Sequence, residues 1–438
     1  MLKIVKFGGS SLADSEQFRK CAEIVKKDSD RRFVVVSAPG KRFSDDTKVT
    51  DMLYDCYKKA AKGEDFSADF AAIEERFKII IDGLALSLDL TDEFQNIKDA
   101  FAHRAGSDYA ASRGEYLNGR IFAAFTGFDF IDPATCIFFD DNGSFDMAAT
   151  MDALSPVLGK SEYAVIPGFY GARRNDTIKT FSRGGSDVTG SIVARAAGAD
   201  LYENWTDVSG FLVADPRIIK NPAVISEITY RELRELSYMG AGVLHEDAIF
   251  PVRTAGIPIN IRNTNKPEDP GTMIVSQASQ NPPYTITGIA GKRGFSVVNI
   301  EKDMMNSERG FGRNVLRSLE KHELSFEHMP SGIDTLSVIL STESFKPKQN
   351  AVIAEIKNRV NPDNIYVEDN LALIAVVGRG MKSMRGTAGR IFSALAHAKI
   401  NVKMIDQGSS ELNIIVGVSD EDFEDAVRAI YDIFVLTV

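Results

Sequence analysis

A lysine and a pair of glycines follow the first apolar run of the sequence. Residues 4–7 are predicted to form a short strand, and the letters KFGGSS place Lys6 at its end, followed by Gly8, Gly9 and Ser10. Adjacent glycines let backbone amides approach an anion closely, and the helix predicted to follow adds its positive N-terminal end. The pattern suits a phosphate group, although an ordinary turn between a strand and a helix, with a surface lysine, has the same letters.

A second pair of glycines lies in the segment FSRGGSD, residues 181–187, ahead of a helical pattern rich in alanine and valine. A guanidinium, Arg183, and a carboxylate, Asp187, stand beside these glycines. Because arginine binds a carboxylate through two parallel hydrogen bonds, the segment suits a dicarboxylic substrate. Asp187 also has the position of a helix N-cap, which leaves a purely structural role open.

A third segment, TDVSG followed by DPR, comes after another apolar run. Thr206 and Asp207 follow a predicted strand, where a hydroxyl and a carboxylate are able to bond a nucleotide or orient metal-bound water. Arg217 has the reach to contact phosphate oxygens. The alternative interpretation is a tight turn followed by a loop that a proline ends.

An acidic residue opens a predicted helix in the segment SRGE, residues 112–115. Glu115 is able to accept a hydrogen bond from a substrate ammonium group. A carboxylate in the first turn of a helix is also stabilised by the positive end of the helix dipole. The local sequence favours this structural role, so Glu115 becomes a site candidate only in combination with the other segments.

These segments are separated by apolar runs that alternate with helical patterns through the first two-thirds of the chain. Phe18, Cys21, Ala22 and Val25 recur at the spacing of one helix face. The predicted strands are residues 4–7, 33–36, 163–166, 201–205 and 257–261, and residues 51–113 are mainly helical in pattern. Alternating strands and helices predict a mostly parallel sheet covered on both faces, which binds ligands at the carboxyl ends of its strands.

Two common phosphate motifs are excluded. The letters Gly159-Lys160-Ser161 resemble the end of a P-loop, but Leu154 occupies the position of its first glycine and the segment precedes a strand. No G-x-G-x-x-G follows a predicted strand, so a Rossmann dinucleotide site has no support.

The composition is that of an ordinary globular protein, with 438 residues, 44% hydrophobic and 26% charged, which is long enough for two or three domains. A net charge of −10 argues against nucleic acid and anionic membranes as the main partners. Three scattered cysteines fit a reducing cytosol, and neither they nor the five histidines have metal-ligand spacing. Without a signal region or a run of about 18 apolar residues, the expectation is a cytoplasmic protein with no membrane span.

The last third of the chain contains an internal repeat. Residues 276–283, SQASQNPP, are polar and aperiodic and are predicted to be an interdomain linker. Beyond them the sequence repeats with a constant offset of 76 residues (386 − 310) and no gap, which disfavours chance similarity. Two small α+β units are expected to pack side by side because neither buries a good core alone. The matched positions are Gly310, Val315, Leu316, Leu319, Leu324, Phe326, Leu336, Val338 and Leu340 with Gly386, Ile391, Phe392, Leu395, Ile400, Val402, Leu412, Ile414 and Val416.

The segments KFGGSS, VVVSAPG, RGE, FSRGGSD and TDVSG-x4-DPR occur together and in one order. In this the sequence resembles the aspartate kinases, within the amino-acid kinase superfamily, along essentially its whole length. The tandem repeat resembles the paired ACT domains that those enzymes carry. The resemblance implies an α/β fold in which a mostly parallel sheet, sandwiched by helices, is followed by two α+β ACT-like domains. The implied boundaries are 1–282 for the catalytic domain and 283–368 and 369–438 for the ACT-like units.

The resemblance also implies roles for individual residues. Lys6 would stabilise the transferring phosphoryl group, and Asp187 would position Lys6 and the substrate, so these two are the expected catalytic residues. The expected substrate-binding residues are Thr50, Glu115, Arg183 and Ser186, with Arg183 on a carboxylate of aspartate and Glu115 on its α-ammonium. The expected nucleotide-binding residues are Lys6, Gly8, Gly9, Ser10, Thr206, Asp207, Leu212 and Arg217.

The implied reaction transfers the γ-phosphoryl group of Mg-ATP to the β-carboxylate of L-aspartate. The product would be 4-phospho-L-aspartate, a precursor of lysine, threonine and methionine, and the metal ion would arrive with ATP. One departure concerns the segment GAGVLHE, where Gly242 and Glu246 replace a lysine and a proline that are common in the family. A second phosphate-binding cation is therefore missing there. The departure leaves open a non-catalytic effector-binding protein. The nearest alternative is another amino-acid kinase, such as a glutamate or N-acetylglutamate kinase, although those generally lack tandem ACT units and the FSRGGSD segment favours aspartate.

The first copy of the repeat resembles an ACT effector site. The carboxylates of Glu308 and Glu327 would suit the two ammonium groups of lysine better than the single one of threonine, so lysine is the favoured effector. The alternative is that both copies only build a homodimer interface, with their sheets joined edge to edge across a two-fold axis, and the two roles are compatible. The expected effector residues are Met305, Glu308 and Phe311 in one loop and Ser325, Phe326 and Glu327 at the start of a facing strand.

Overall fold

The computed structural model of the chain describes residues 1–182, 184–241, 244, 246–278 and 285–436. The chain divides into two compact units. The first comprises residues 1–211, 224–230 and 243–278, and the second comprises residues 212–223, 231–242 and 279–438. Two short segments from the first two-thirds of the chain therefore belong to the unit that holds the tandem repeat.

The first unit is a layered α/β structure. Its strands are β1 (Lys3–Phe7), β2 (Arg31–Val36), β3 (Asp129–Phe130), β4 (Phe138–Phe139), β5 (Ala164–Pro167), β6 (Tyr170–Arg173), β7 (Ile178–Thr180), β8 (Leu201–Thr206), β9 (Glu227–Thr229), β10 (Ile259–Asn263) and β11 (Thr272–Val275). Its helices are α1 (Ser15–Lys26), α2 (Val49–Lys62), α3 (Ser67–Leu84), α4 (Thr91–Ala102), α5 (Ser107–Thr126), α6 (Met147–Leu158), α7 (Gly185–Ala197) and α9 (Glu246–Ala255). Helix α8 (Tyr230–Tyr238) begins in this unit and continues in the second.

Eight of these strands form one sheet in the order β3-β5-β2-β1-β8-β10-β11-β9, and β4, β6 and β7 form a smaller one. Neighbours in the large sheet are parallel except β10 and β11. The carboxyl ends of the central strands β1, β2 and β8 therefore lie at the same edge, together with the segments KFGGSS, VVVSAPG and TDVSG, in which these strands end. The predicted fold class is confirmed.

Helices pack on both faces of this sheet because its central strands are apolar on both sides. Val5 and Phe7 of β1 join a hydrophobic cluster with Phe18 of α1 and Phe122 of α5. On the other face, α7 packs on β1 and β8 and buries Ile192. The central strands are thus held rigidly from both sides, which fixes the loops at their carboxyl ends.

The helix after the first glycine pair begins later than the sequence predicts. Gly9–Leu12 forms a 3₁₀ turn, and α1 starts at Ser15 because the Asp14 carboxylate caps it by accepting from the amide of Gln17 at 2.9 Å. The buried face of α1 is the one that the helical spacing predicts. Gly8 therefore precedes a single 3₁₀ turn and Gly9 opens it, and neither lies in the first turn of an α-helix.

The second unit is an α+β structure around the repeat. Its strands are β12 (Gly288–Glu301), β13 (Thr335–Ser341), β14 (Asn364–Val377), β15 (Met404–Asp406) and β16 (Asn413–Ser419). Its helices, besides the rest of α8, are α10 (Phe311–Lys321), α11 (Thr342–Phe345), α12 (Gln349–Val360), α13 (Thr387–His397) and α14 (Phe423–Tyr431).

The five strands form one sheet in the order β13-β12-β14-β16-β15. The two long strands, β12 and β14, pair antiparallel over almost their whole length, so that residues 288–292 lie beside 373–377 and residues 295–301 lie beside 364–371. The first half of β12 is therefore paired with the strand that opens the second copy of the repeat. The expected boundary between residues 368 and 369 lies inside β14.

The two copies begin in register at the predicted offset. The starts of α10 and α13 are 76 residues apart (387 − 311). Each helix is preceded by a glycine in the left-handed region, Gly310 with φ +85° and Gly386 with φ +84°. A residue with a Cβ is disfavoured at that φ, so the repeated glycine has a backbone reason.

The prediction of an ungapped repeat is wrong for the strands that follow. Val298 pairs with Val338, and its counterpart Ile374 pairs with Val416, so these partner strands are 78 residues apart (416 − 338). The second copy has two additional residues before β16. The alternating apolar pattern concealed the shift because a slip of two residues returns every side chain to the same face of a strand.

Candidate active site

A buried ion pair lies at the carboxyl end of the central strands. Lys6, near the end of β1, places its Nζ 2.5 Å from Oδ1 of Asp187 in the first turn of α7. The two side chains are only 8% and 18% exposed. Asn204 of β8, the cross-strand neighbour of Lys6, donates from Nδ2 to the same Asp187 oxygen at 2.8 Å. One carboxylate therefore holds a mostly buried ammonium in place and is itself held by an amide.

The glycine pair after β1 contacts the loop that follows β2. The amide of Gly40 donates to the carbonyl oxygen of Gly9 at 2.8 Å, and a Cβ on Gly40 would lie 2.5 Å from the carbonyl carbon of Gly9. A Cβ on Gly8 would lie 3.7 Å from Nζ of Lys6, and Ser10 is exposed. Backbone without side chains beside an ammonium is chemically suited to a phosphate group.

Glu115 lies on α5 and is only 5% exposed. Its Oε2 is buried and accepts no hydrogen bond from any residue that the structure describes. Burial raises the pKa of Glu115 to about 8, against a backbone hydrogen bond with Ala38 and the charges of Arg113 and Lys6, which lower it. A buried carboxyl group with a free acceptor oxygen is able to receive a cationic group, and Lys6 lies near enough for its charge to act on it.

The other two described substrate candidates open helices at the same edge of the sheet. Thr50 is the second residue of α2, and its neighbour Val49 donates its amide to the carbonyl oxygen of Pro39 at 3.4 Å. Ser186 is the second residue of α7 and packs on Gly168, where a Cβ would lie 2.7 Å from the serine Oγ. Both side chains are half-buried. Their places at the carboxyl edge suit substrate contact.

Thr206 and Asp207 lie where β8 ends. The Thr206 hydroxyl donates to Oδ1 of Asp207 at 3.2 Å, and the Thr206 carbonyl oxygen accepts from the amide of Thr264 at 2.8 Å. Asp207 is exposed. The pair is therefore open to a ligand from the carboxyl side of the sheet.

Leu212 and Arg217 belong to segment 212–223 of the second unit. The Arg217 guanidinium is 87% exposed and forms a 2.6 Å ion pair with Asp215, while Leu212 is half-buried. Their part in nucleotide binding stays a prediction. Two further positions, Arg183 and Gly242, lie outside the described residues, and so does the side chain of Glu246.

The sequence analysis missed two asparagines that hold the site together. Asn204 orients Asp187, as described above, and Asn118 of α5 donates from Nδ2 to the carbonyl oxygen of Ser37 at 2.7 Å. Both asparagines are buried. The sequence did contain a signal for Asn204, because it lies within a predicted central strand that is otherwise mainly apolar. A buried side-chain amide requires a hydrogen-bond partner, so this position could have been predicted to make a polar contact. The partner itself is 17 residues away in the chain and is chosen by the fold.

The residues predicted to bind an effector lie in the second unit, in different surroundings. Met305 and Phe311 are buried in the hydrophobic core of the first copy. Glu308 forms an ion pair with Lys302, with 2.5 Å between Oε2 and Nζ. The Lys302 ammonium therefore occupies the position beside Glu308 that the sequence analysis assigned to an ammonium group of the effector.

The segment with Ser325, Phe326 and Glu327 was predicted to begin a strand, but it does not form a regular strand. It contacts β13 through an isolated bridge between His328 and Ile339, and the Glu327 amide donates to the Ile339 carbonyl oxygen at 2.8 Å. Ser325 is exposed, and Phe326 is 42% exposed. The Glu327 carboxylate accepts a hydrogen bond from the hydroxyl of Tyr238 at the end of α8, and burial together with this contact raises the tyrosine pKa to about 12.

The described residues show neither a metal site nor a membrane span of the following kinds. They contain no group of three or more histidine, cysteine, aspartate or glutamate side chains placed to hold a metal ion. None of their helices has the length and apolar character needed to cross a membrane.

Comparison with known proteins gives the family. Residues 1–263 match the model described as the amino acid kinase family, and residues 374–434 match a model of the ACT domain. The chain belongs to the amino acid kinase family. It is 38% identical to Aspartokinase 3 of Bacillus subtilis, over 99% of this chain and 98% of that protein. Its place within the family is thus among the aspartokinases, as the sequence motifs predict.

Solved structures agree with this placement. The aspartate kinase of Clostridium acetobutylicum is 51% identical, has a TM-score of 0.91 and matches over 99% of both chains. Escherichia coli aspartokinase III is 25% identical, with TM-scores of 0.73 for its complex with aspartate and ADP in the R-state and 0.75 for its complex with lysine and aspartate in the T-state, each over 99% of both chains. The chain spans about half the length of the bifunctional aspartokinase/homoserine dehydrogenases that it also matches.

Proposed function

We propose that this chain transfers the γ-phosphoryl group of ATP to the β-carboxylate of L-aspartate, forming 4-phospho-L-aspartate and ADP. One observation carries the proposal. The Lys6–Asp187 ion pair and the buried Glu115 oxygen, which has no hydrogen bond from the described residues, belong to the same unit at the carboxyl edge of its sheet. They are near enough for the Lys6 charge to act on Glu115. An ammonium for phosphate oxygens and a carboxyl for a substrate ammonium are what this reaction requires.

The chemistry of the acceptor explains why no general base is needed. A carboxylate with a pKa near 4 is ionised at neutral pH and is already a nucleophile. The difficulty is to bring it against a triphosphate that is itself an anion, so catalysis consists of alignment and charge neutralisation. ATP enters as its magnesium complex, and the ion neutralises phosphate oxygens as part of the substrate.

The residues divide between the two substrates. Lys6 neutralises charge on the transferring phosphoryl group, and Asp187 keeps Lys6 aimed at it. Glu115 receives the α-ammonium of aspartate, and Arg183 holds a carboxylate. Thr50 and Ser186 complete the aspartate site. The nucleotide contacts are Lys6, Gly8, Gly9, Ser10, Thr206, Asp207, Leu212 and Arg217.

We also propose that the repeat is regulatory, with residues 283–368 and 369–438 as two ACT units after a catalytic domain at 1–282. E. coli aspartokinase III is solved with lysine as well as with aspartate, which supports an amino-acid effector. Lysine is favoured over threonine, and a cytoplasmic homodimer formed through the ACT units is the proposed state. This fits an enzyme at the start of lysine, threonine and methionine synthesis.

Trapping with hydroxylamine tests the activity. The purified chain is incubated with Mg-ATP and aspartate, glutamate, N-acetylglutamate or no acceptor, and the acyl hydroxamate is measured. ATP-dependent hydroxamate with aspartate alone is the expected result. Product from another acceptor would make the chain a different amino-acid kinase. Lysine binding without any hydroxamate would leave a non-catalytic effector protein.

A further inference from the structure

We propose that Arg76 is a positioning residue for phosphoryl transfer, which holds the loop between β2 and α2 against the phosphate-binding turn after β1. The inference rests on the proposed function, because it assigns that turn to ATP. Arg76 lies on α3 and belongs to none of the motif segments. Its role follows from the groups to which it is bonded and from what those groups touch.

The Arg76 guanidinium reaches two separate points of the loop. Nη2 donates to the carbonyl oxygen of Gly40 at 2.7 Å, and Nη1 donates to Oδ2 of Asp46 at 2.7 Å. The side chain is only 4% exposed, although arginine is rarely buried this deeply. Such burial is tolerated because both acceptors lie close by, one of them a carboxylate. Arg76 therefore fastens the beginning and the end of one loop to a rigid helix.

The first point, Gly40, is in backbone contact with the phosphate-binding turn. Its amide donates to the carbonyl oxygen of Gly9 at 2.8 Å, and a Cβ at Gly40 would lie 2.5 Å from the Gly9 carbonyl carbon. The two backbones touch without space for a side chain. Arg76 is thus two hydrogen bonds away from Gly9, and a shift of Gly40 is transmitted directly to the amides that would face the phosphates.

The second point, Asp46, lies just before α2, the helix that carries Thr50. The Asp46 carboxylate also accepts three hydrogen bonds from Arg42, from its amide at 2.9 Å and from Nε and Nη2 at 2.9 and 3.0 Å. Hydrogen bonds from Arg42 first, and from Arg76, hold the pKa of Asp46 well below its usual range, so the carboxylate stays charged at any working pH. The end of the loop is therefore fixed as firmly as its beginning.

The geometry requires a guanidinium. A lysine at position 76 would still neutralise Asp46, but a single ammonium cannot place two nitrogens on two acceptors as a planar fork does. Loss of the Gly40 bond alone would loosen the contact with Gly9. A displacement of about 1 Å at a reacting centre costs on the order of 10²-fold in rate, so even a small shift is measurable.

Three variants separate positioning from general stability. Arg76→Met removes both bonds, and Arg76→Lys keeps the charge opposite Asp46. Arg42→Met is the matched control, because Arg42 shares the same carboxylate but has no bond to Gly40. Each variant is compared with wild type for thermal unfolding, for the Kd of a non-hydrolysable Mg-ATP analogue by calorimetry, and for kcat and both KM values in the hydroxamate assay.

We expect the Arg76 variants to change the analogue Kd and the kcat/KM for ATP more than the KM for aspartate. Arg76→Lys should unfold within a few degrees of wild type yet lose about tenfold or more in kcat/KM for ATP, with a weaker analogue Kd. Arg76→Met should lose more. Arg42→Met should keep kcat/KM for ATP and the analogue Kd within about twofold of wild type. This should hold even if its unfolding temperature falls as much as that of Arg76→Met. In a fourth variant, Arg76→Ala, guanidinium ion at millimolar concentration should restore part of the nucleotide affinity, and it should leave the affinity of Arg42→Met unchanged.

Two outcomes would overturn the proposal. Equal losses in Arg42→Met and Arg76→Met would assign the effect to Asp46 and the stability of the loop, and unchanged analogue Kd and kcat in Arg76→Lys would show that the Gly40 bond positions nothing. A wild type that binds the ATP analogue but makes no hydroxamate would contradict the proposed function alone. The analogue Kd would still decide the role of Arg76 in that case.

Discussion

Lys6 and Asp187 come from different elements, the end of β1 and the start of α7, and their charged atoms lie 2.5 Å apart. The carboxylate has a second partner, Asn204, so it is not free to follow the lysine. A charge held in this way needs no reorganisation when negative charge develops on a phosphoryl group. The relationship makes Lys6 a preorganised cation and Asp187 its support.

Lys6→Ala is expected to lower turnover severely while the fold is retained. Charge stabilisation of this kind is worth a few kcal/mol, which corresponds to a loss of about 10²–10³ in kcat. Hydroxamate formation measures kcat, and circular dichroism checks the fold. Lys3→Ala is the control, because Lys3 lies on the same strand as Lys6 and forms its ion pair with Asp28, away from the site. A kcat of Lys6→Ala near that of wild type would exclude Lys6 from the mechanism.

Asn204→Ala tests the support of Asp187. The variant leaves the Lys6 ion pair without the amide that orients its carboxylate, so kcat should fall about tenfold with little change in the aspartate KM. Asn204→Asp should be worse, because a second carboxylate would compete for the Lys6 ammonium. Steady-state kinetics of both variants provide the measurement. If Asn204→Ala keeps wild-type kcat, the Lys6–Asp187 pair needs no support from β8.

The kcat/KM for aspartate should depend on pH because Glu115 titrates near neutral pH. This carboxyl group has a pKa of about 8 in the free protein, so it is mostly neutral at pH 6.5 and attracts a substrate ammonium only when ionised. We therefore expect kcat/KM for aspartate to rise between pH 6.5 and 8.5. Glu115→Gln should show a raised KM and no such slope. A wild-type profile that stays flat over this range would remove Glu115 from the ammonium site.

The same shift predicts how stability depends on pH. The folded protein keeps the proton of Glu115 up to about pH 8, whereas the unfolded chain releases it near the usual value of 4.5. Between these values the native state binds more protons, so this group lowers the free energy of unfolding as pH rises. Wild type should lose more thermal stability than Glu115→Gln between pH 6 and 8.5. Parallel losses in scanning calorimetry would contradict the assignment.

The buried ion pair between Arg31 of β2 and Glu203 of β8 should contribute measurably to stability. Arg31 donates from Nε to Oε2 of Glu203 at 2.8 Å, and Trp205 donates to the same oxygen at 2.9 Å. Arg31→Met leaves the buried Glu203 carboxylate with only the Trp205 hydrogen bond and the Arg262 guanidinium 3.9 Å away, which should cost about 3 kcal/mol in the free energy of unfolding. Adding Glu203→Gln should recover part of it. Denaturant unfolding measures both. Arg32→Met should lose less, because Arg32 is half-buried and bonds only to the backbone carbonyl oxygens of Ser161 and Glu162.

Lysine inhibition tests the effector assignment. Glu327 is bonded to Tyr238, so a bound ammonium would have to compete with the tyrosine hydroxyl for that carboxylate. Glu327→Ala should weaken lysine inhibition at least tenfold, and Tyr238→Phe should strengthen it. Glu320→Ala, an exposed acidic residue on α10, should behave as wild type. Insensitivity of the wild type to lysine, or unchanged inhibition in Glu327→Ala, would leave the repeat without this ligand.

The sequence by itself determined the features that have a local or periodic signature. The alternation of apolar runs and helical patterns predicted the parallel sheet, because its strands are buried on both faces, and the glycine pairs after strands predicted where loops would be free of side chains. The repeated glycines at 310 and 386 helped to predict the tandem repeat, and each has a positive φ immediately before its helix.

Only the tertiary structure decided which distant residues meet. Arg76 and Gly40 are 36 residues apart, and Asn204 and Asp187 are 17 apart, with no spacing rule that links either pair. The two-residue gap of the repeat was equally hidden, because a strand looks the same after a shift of two. Met305 and Phe311 had been expected at a ligand surface, but their apolar side chains are buried in the core of the first copy. A pattern along the chain records which face a residue prefers, whereas the partner across that face is chosen when the packed elements come together.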